Sequence, residues 1–299
     1  MNAPQYNRPQ RPKILGIAHF SLYSSNLEND AELFTKYFGY AEPYYVEREG
    51  KPKMMFVKIS DRQYVEFTED TENHFVKYRH TAFETDDIEG MRIYLQMMGL
   101  KVPSEIMDPG FGFKCFFVQD FAGNDVEFLE YTDKGLLAEH KGQDLPDTRI
   151  SDIMRHVGWI SKDLSKELAF YGYILGFKEY WRGGENFEKS QWIKMSMPDS
   201  PTDDYIEIML YDHDLDQVEL GILNHISLDV ENVPASKEIL DSRTLPEGCM
   251  PAEPQKIGAC GYGQSNIYMK EKTRVEIMTK VAVGGTPTPP IYGIPVRFD

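Results

Sequence analysis

The sequence predicts an α+β fold built from four copies of one βαβββ unit. In each copy, a short apolar strand containing a histidine precedes an amphipathic helix, a turn, and strands that end in an apolar segment containing a glutamate. The histidines are His19, His80, His156 and His225, and the glutamates are Glu66, Glu127, Glu207 and Glu276. The first two glutamates follow their histidines by 47 residues and the last two by 51. These matched spacings group the copies into two pairs.

Local patterns place the elements of each copy. Apolar residues recur at helical spacing from Ile88 in the second copy and from Leu164 in the third. Three helices are expected to end at Gly39, Gly99 and Gly176, because glycine readily adopts the left-handed conformation of a helix C-terminus. Each glutamate lies between apolar strand neighbours, so its carboxylate should point to the face opposite those neighbours.

The repeat divides the chain into two predicted domains, residues 14–131 and 150–280, each containing two copies. A polar link, Thr132 to Arg149, joins them. The stretch Val281 to Asp299 is rich in proline and glycine, which predicts an extended tail, either disordered or packed as an arm over the partner half.

Composition limits the function classes. The 299 residues are 41% hydrophobic, and acidic residues outnumber basic ones 48 to 32, giving a formal charge of −16. This charge disfavours nucleic acid and anionic membranes as partners, and no apolar run is long enough to span a membrane. The three cysteines lack a metal-binding or disulfide pattern. Reduced cysteines fit a cytoplasmic protein, and we expect a monomer or a homodimer.

The recurring histidine and glutamate predict metal binding. Two imidazoles and two carboxylates suit a borderline divalent ion, balance its charge and leave two octahedral positions for a chelating substrate. The candidate ligands are His19, Glu66, His80, Glu127, His156, Glu207, His225 and Glu276. One histidine in a strand is more often a hydrogen-bonded core residue than a metal ligand. Here, however, four of the seven histidines occupy this one repeat position.

Two motifs carry a family resemblance. Asp120-Phe121-Ala122-Gly123-Asn124, just before Glu127, resembles the D-x-x-G-N turn of the vicinal oxygen chelate superfamily, which includes glyoxalases, bleomycin resistance proteins and extradiol dioxygenases. The phrase from Leu168 to Phe177 resembles the superfamily's first helix and its exit. The resemblance covers Ile14 to Lys280. It implies two glyoxalase-like half-barrel domains, a divalent transition metal (Ni, Zn, Co, Fe or Mn) and a small-molecule substrate with adjacent oxygens.

The resemblance leaves the pairing of copies open. Adjacent copies could pair, or copy 1 could pair with copy 4 and copy 2 with copy 3, and the same eight ligands would be regrouped. The fourth copy departs from the family pattern, because Tyr268 to Arg274 stands where the D-x-x-G-N turn is expected. The geometry around Glu276 is therefore less defined than that around Glu127.

Three functions remain open. The resemblance favours a glyoxalase-like lyase or isomerase, in which a glutamate moves a proton on a metal-chelated substrate. Glu127 and Glu276 are the preferred bases, followed by Glu66 and Glu207. An Fe(II) extradiol dioxygenase is the first alternative, with His156, His225 and Glu276 as ligands. However, Glu207 stands where that branch has an acid-base histidine. The second alternative is a non-catalytic binding or resistance protein.

Two further groups of residues remain ambiguous. Six aromatic residues could line a pocket, although such residues more often lie in a core: Trp159, Trp181, Trp192, Tyr205, Tyr262 and Tyr268. Arg79 and Arg155 directly precede a candidate histidine. Strand alternation therefore predicts that they face away from the site.

Overall fold

The computed structural model describes residues 9–184, 190–211 and 213–291, which form a seven-stranded and an eight-stranded sheet. The strands of the first sheet are β1 Ile14–Ser24, β2 Tyr44–Val46, β3 Met54–Lys58, β4 Tyr64–Glu69, β5 Tyr78–Thr85, β6 Phe113–Gln119 and β7 Asp125–Tyr131. Those of the second are β8 Met154–Ser161, β9 Lys178–Gly183, β10 Trp192–Ser196, β11 Tyr205–Leu210, β12 His225–Val230, β13 Lys256–Ile257, β14 Tyr262–Tyr268 and β15 Arg274–Ala282. The helices are α1 Leu27–Glu32, α2 Ile88–Met97, α3 Leu136–Glu139, α4 Leu164–Glu167, α5 Gln217–Leu223 and α6 Val233–Asp241.

Adjacent copies pair, which settles the question that the sequence left open. The strand orders are β2-β3-β4-β1-β5-β7-β6 and β13-β14-β15-β12-β8-β11-β10-β9. The first strands of two neighbouring copies run antiparallel at the centre of each sheet, as β1 with β5 and β8 with β12. Within each copy the first strand lies parallel to the last. The predicted fold class is confirmed. The second copy is reduced, because an isolated bridge between Met107 and Cys115 takes the place of one strand.

The predicted helix ends are confirmed. Gly39, Gly99 and Gly176 have φ values of 81°, 89° and 79°, so each occupies the left-handed region that glycine tolerates best. In copies 1 and 3 the α-helix continues as a π-helix, Leu33–Tyr37 after α1 and Leu168–Ile174 after α4. The helical region of the third copy therefore lies where it was predicted, but part of it has the hydrogen-bond pattern of a π-helix.

One hydrophobic core joins the two halves. Tyr78 and Trp159 stack at 6.4 Å between ring centroids, and Phe83 meets Phe177 edge-on at 5.4 Å. The Tyr94 hydroxyl donates a hydrogen bond of 2.6 Å to the Ile174 carbonyl. The apolar neighbours of the four glutamates contribute to this core. The glutamates therefore point to the opposite, inner face of each sheet, as strand alternation predicts.

The inner face of the first sheet is filled by apolar side chains. Phe56, Phe111, Phe113 and Leu137 are buried in a second cluster on this face. Leu137 belongs to α3, a short helix inside the segment predicted as a polar link, and its backbone N–H donates to the Phe111 carbonyl. The link therefore packs against the first half.

The C-terminal segment follows the second sheet. Strand β15 extends to Ala282, so the extended tail begins later than the predicted residue 281. The Thr288 N–H then donates to the Cys260 carbonyl, and the Ile291 N–H donates to the Arg182 carbonyl. This segment crosses its own half, from β15 to the end of β9. Residues 292–299 of the predicted tail lie outside the described residues.

Among the described residues, no helix has the length and apolar character needed to cross a membrane.

Candidate metal centres

The first half brings its four candidate ligands together, and three of their atoms form a compact triangle. His19 Nε2 lies 2.9 Å from His80 Nε2 and 3.0 Å from Glu127 Oε2, and His80 Nε2 lies 2.9 Å from the same oxygen. Glu66 stands slightly further away, with its oxygens 3.8 Å from His19 Nε2 and 3.9 Å from His80 Nε2. All four side chains are buried. We call these residues the first cluster.

Glu66 is oriented by two polar neighbours. Its Oε1 accepts a hydrogen bond of 2.6 Å from the Ser21 hydroxyl and a charged one of 2.9 Å from Arg79. The prediction that Arg79 faces away from the site is wrong. Arg79 is the extra residue of a β-bulge, since Ser21 pairs with His80 and Leu22 with Tyr78. A bulge redirects the side chain of its extra residue, which lets Arg79 reach the inner face.

The first cluster is enclosed by aromatic residues. Phe117 meets His80 edge-on at 5.0 Å, and Phe113 lies 6.2 Å from His19 between ring centroids. In the strand register, Phe56 and Phe117 stand opposite the two glutamates. Bulky apolar side chains therefore occupy the space where a substrate beside this cluster would have to lie.

The second half assembles a corresponding cluster from three ligands. His156 Nε2 lies 3.0 Å from His225 Nε2 and 3.4 Å from Glu276 Oε2. Their ligand atoms all lie within 4.8 Å of one another, and the three side chains are buried. We call His156, His225 and Glu276 the second cluster. The missing D-x-x-G-N turn in copy 4 has not displaced Glu276.

Glu207, the fourth predicted ligand of this half, stands between the second cluster and a lysine. Its Oε2 is 3.7 Å from His225 Nε2, and its Oε1 is 3.5 Å from Lys194 Nζ. In the strand register, Lys194 lies directly opposite Glu207 on β10, where the first sheet has Phe56 opposite Glu66. The two halves thus differ most in what faces this glutamate.

A cavity of about 530 Å³ adjoins the second cluster. Its lining includes Trp181, Lys194, Tyr205, Cys260, Tyr262 and Thr288. Tyr205 connects the cavity to the cluster, because its ring stacks on His156 at 4.6 Å between centroids. The C-terminal segment closes one wall, where the Thr288 carbonyl accepts a 2.9 Å hydrogen bond from Trp181 Nε1.

The electrostatics of the two clusters differ. In the first cluster, burial lowers the pKa of His19, but Glu127 and Glu66 outweigh it and raise that pKa overall. Burial alone would raise the pKa of Glu127, yet the two imidazoles lower it. In the second cluster, burial and nearby cations lower the pKa of His156 and His225 well below the usual value. The second pair of imidazoles is therefore neutral, the form that binds metals.

Both clusters fit a divalent ion. Ligand atoms about 2.1 Å from one ion stand roughly 3.0 Å apart at adjacent octahedral corners. The triangle of the first cluster, with edges of 2.9 to 3.0 Å, matches this spacing. In the second cluster, the Leu223 carbonyl is 2.7 Å from His225 Nδ1 and selects the tautomer that leaves Nε2 free for an ion. Arg274 contacts the same Nδ1 at 2.8 Å and favours the other tautomer, which an ion at Nε2 would exclude.

Unpaired polar atoms surround the second cluster. Within the described residues, buried atoms without a hydrogen-bond partner include His156 Nδ1, Asp229 Oδ1, Asn266 Oδ1 and Arg274 Nε. Asn266 stands opposite Glu276 in the register. Buried polar groups are normally paired, so this concentration is typical of a site that receives water or a ligand.

Comparison with known proteins agrees with this architecture. Residues 16–128 match the model of the Glyoxalase/Bleomycin resistance protein/Dioxygenase superfamily. This match covers most of the first half and agrees with the resemblance that the sequence motifs carry to the vicinal oxygen chelate superfamily. Members of this superfamily use divalent metals, in agreement with the predicted cofactor class. A comparison with curated protein sequences gave no match.

Solved structures share the fold of this chain along nearly its whole length. The 2,3-dioxygenase LapB from Pseudomonas sp. KL28 is 16% identical, with a TM-score of 0.65, and the alignment covers 96% of this chain and 98% of LapB. Homoprotocatechuate 2,3-dioxygenase from Brevibacterium fuscum, in complex with 3,4-dihydroxyphenylacetate, is 15% identical, with a TM-score of 0.65. That alignment covers 99% of this chain and 88% of the other. At these identities the likeness establishes the fold.

The sequence located the histidines and glutamates but missed other residues of the site. Lys194 and Cys260 were not singled out, although Lys194 lies between apolar Ile193 and Met195 in the same alternation that identified the glutamates. Of the six aromatic candidates, Trp181, Tyr205 and Tyr262 line the cavity, whereas Trp159 lies in the core. Arg155 is also a bulge residue and lines the cavity, contrary to the prediction.

Proposed function

We propose that the chain is an extradiol-type ring-cleavage dioxygenase whose active centre is the second cluster. The observation that carries this proposal is the pairing of His156, His225 and Glu276 with an adjacent cavity that has aromatic walls. Two imidazoles and one carboxylate form the donor set of non-haem Fe(II) oxygenases, which leaves positions open for substrate and O2. The 2,3-dioxygenases that share this fold support the same reaction class.

The lyase or isomerase predicted as the main function has less support. That reaction requires a glutamate from each paired copy at the ion. In the second half, Glu207 forms an ion pair with the buried Lys194 at 3.5 Å, and this pairing competes with metal binding by the glutamate. In the first half both glutamates are present, but aromatic side chains occupy the neighbouring space.

Within the proposed reaction, the protein residues bind, orient and accept a proton. A redox-active divalent metal held by the second cluster would lower the pKa of a chelating hydroxyl and permit reaction with O2. The Leu223 carbonyl holds the His225 ring in orientation through Nδ1. Glu207 Oε2, 3.7 Å from His225 Nε2, is placed to accept the proton that the substrate hydroxyl releases. This glutamate would replace the acid-base histidine of the dioxygenase branch.

The first cluster is proposed as a structural site. Its four ligands are buried, and Ser21 and Arg79 orient Glu66 as outer-shell partners. An ion there would stabilise the first sheet without meeting a substrate. Its repeat-equivalent position makes it a matched control for the active centre.

The test compares equivalent glutamates in the two clusters. Protein reconstituted with Fe(II) should consume one O2 per catechol and produce a ring-opened product. Glu276→Gln should reduce turnover by at least about 100-fold, whereas Glu127→Gln should leave catechol turnover within about threefold of the parent per folded, second-site-loaded chain. Turnover of a hydroxycarbonyl or hemithioacetal at equal rates with and without air would support the isomerase instead. Silence toward every substrate class would support a binding protein.

A further inference from the structure

We propose that Lys194 is the anion-binding group of the second-half cavity and selects a planar aromatic substrate that carries a carboxylate. This inference rests on the proposed function for the reaction, but the binding itself depends only on the cavity. Lys194 is 4% exposed, and its side chain lines the cavity beside the second cluster.

The ammonium group retains hydrogen-bonding capacity. Among the described residues, its polar neighbours are Cys260 Sγ at 3.2 Å, the Tyr205 hydroxyl at 3.3 Å and Glu207 Oε1 at 3.5 Å. A sulfur is a weak acceptor, and a charged N–H···O bond is normally 2.7 to 2.9 Å long. The three N–H donors are therefore incompletely used.

A second buried lysine provides a comparison, because its ammonium group has a short contact for each of its three N–H donors. Lys58 lies on β3 of the first half and is 3% exposed. Its Nζ donates to the His140 carbonyl at 2.6 Å and the Gln143 carbonyl at 2.9 Å, and it pairs with Asp61 at 2.7 Å. Lys58 holds the link segment in place, whereas Lys194 makes no such set of short contacts within the part of the chain that the structure describes.

The walls around Lys194 indicate the shape of the ligand. The ammonium lies 5.0 Å from the ring centroid of Tyr205, 5.6 Å from that of Trp181 and 5.9 Å from that of Tyr262. These rings favour a cation. Because Tyr205 already stacks on His156, Trp181 and Tyr262 are the rings that offer stacking surfaces to a flat ligand. A planar ring stacked among them would place an attached carboxylate within reach of Nζ. Because the site is buried, a carboxylate there would be bound more strongly than at the surface.

The other cations that line the cavity are already paired with carboxylates. Arg155 pairs with Asp229, whose Oδ2 is 2.5 Å from its Nη2, and also donates to the Thr202 carbonyl. Lys280 pairs with Glu231 at 2.7 Å, and its side chain is partly exposed. Among the cations that line the cavity, Lys194 is therefore the buried one, and its contacts to acceptors are longer than those of Arg155 and Lys280.

The binding test uses benzoate on metal-free protein, so that it does not depend on catalysis. Benzoate should quench tryptophan fluorescence, and Lys194→Met should weaken its binding at least about 10-fold, since a charged hydrogen bond in a buried site has this order of effect. Lys194→Arg should retain binding within a few-fold. Lys58→Met, the matched control, should lower thermal stability and leave benzoate affinity unchanged.

A second arm uses metal-loaded protein with 3,4-dihydroxybenzoate and 4-methylcatechol. Lys194→Met should lower affinity for the anionic catechol at least about 10-fold and for the neutral one less than about threefold. Circular dichroism and metal content should match the parent; if Lys194→Met does not fold, Lys194→Gln replaces it. Absence of benzoate binding to the parent, or equal losses for both catechols, would overturn the inference. Benzoate binding that depends on Lys194 without any O2 uptake would retain it and overturn the dioxygenase.

Discussion

Substitution of Gly158 tests the second cluster, because the absence of a side chain at this position leaves room for the imidazole of the metal ligand His225. Gly158 pairs with His225 on β12 and with Glu207 on β11. A Cβ atom added at this position would lie 2.3 Å from His225 Cε1 and 2.7 Å from Nδ1. Ordinary contacts begin near 3.4 Å. The imidazole in Gly158→Ala would therefore have to move by roughly 1 Å, and metal-ligand distances tolerate only about 0.2 Å.

The expected result is a loss of metal affinity at the second cluster of about 10- to 100-fold, the usual effect of disturbing a ligand's orientation. This corresponds to about 1.4 to 2.8 kcal/mol. Overpacking should also lower the free energy of unfolding by about 1 to 3 kcal/mol. Calorimetric metal titration measures the first quantity, and urea unfolding of metal-free protein measures the second.

Gly172→Ala is the matched control, since its added Cβ would meet Met195 Cε at an ordinary 3.4 Å. It should leave metal affinity unchanged. The equivalent of Gly158 in the first sheet is Ser21, which already carries a side chain opposite His80. If Gly158→Ala binds metal as tightly as the parent, His225 has adopted an arrangement like that of His80, and the steric reasoning is wrong.

Three further predictions concern metal content, pH dependence and the cavity wall. Chelator-treated protein reloaded with Fe(II) or Mn(II) should hold up to two ions per chain by elemental analysis. His80→Ala should remove one of these ions while catechol turnover persists. A loss of all metal in this variant would mean that the clusters are not independent. Burial raises the pKa of Glu167 to about 8. The Glu167 carboxyl therefore loses its proton at a lower pH in the unfolded chain than in the folded one. The free energy of unfolding should fall as pH rises from about 4.5 to 8, by about 3 kcal/mol at pH 7. Glu167→Gln should flatten that dependence in urea unfolding at pH 5 and 7.5, and an unchanged slope would contradict it. Trp181→Phe removes the donor to the Thr288 carbonyl and should raise KM for catechols a few-fold; an unchanged KM would show that this bond does not hold the cavity wall.

The periodic features of the fold could be predicted from the sequence. Strand alternation placed Glu66 and Glu127 opposite their apolar neighbours, and both now lie on the inner face. Three glycines marked helix ends because only a left-handed residue closes a helix in that way. The pairing of copies could not be predicted, because both groupings bury the same strands and use the same ligands. It depends on contacts between β1 and β5 that no local pattern encodes.

Departures from regular geometry limited the prediction of the site. Alternation placed Arg79 and Arg155 on the outer face, but each is the extra residue of a bulge. A single extra residue reverses the direction of a side chain and leaves no reliable mark in the sequence. The course of the C-terminal segment was equally hidden, because hydrogen bonds such as that from Ile291 to the Arg182 carbonyl depend on a strand distant in sequence.

The repeat also offers a physical basis for the different roles that we propose for the two clusters. Both clusters keep two histidines and a glutamate on the closing strand of their second copy, so metal binding alone does not distinguish them. The clusters differ in the residues that stand opposite the two glutamates of each half. These are Phe56 and Phe117 in the first half, and Lys194 and Asn266 in the second. Phenylalanine fills the inner face and keeps water and ligands out. Lysine and asparagine instead leave polar groups that a ligand can satisfy, so in the function that we propose, two residues per half distinguish the active centre from the structural site.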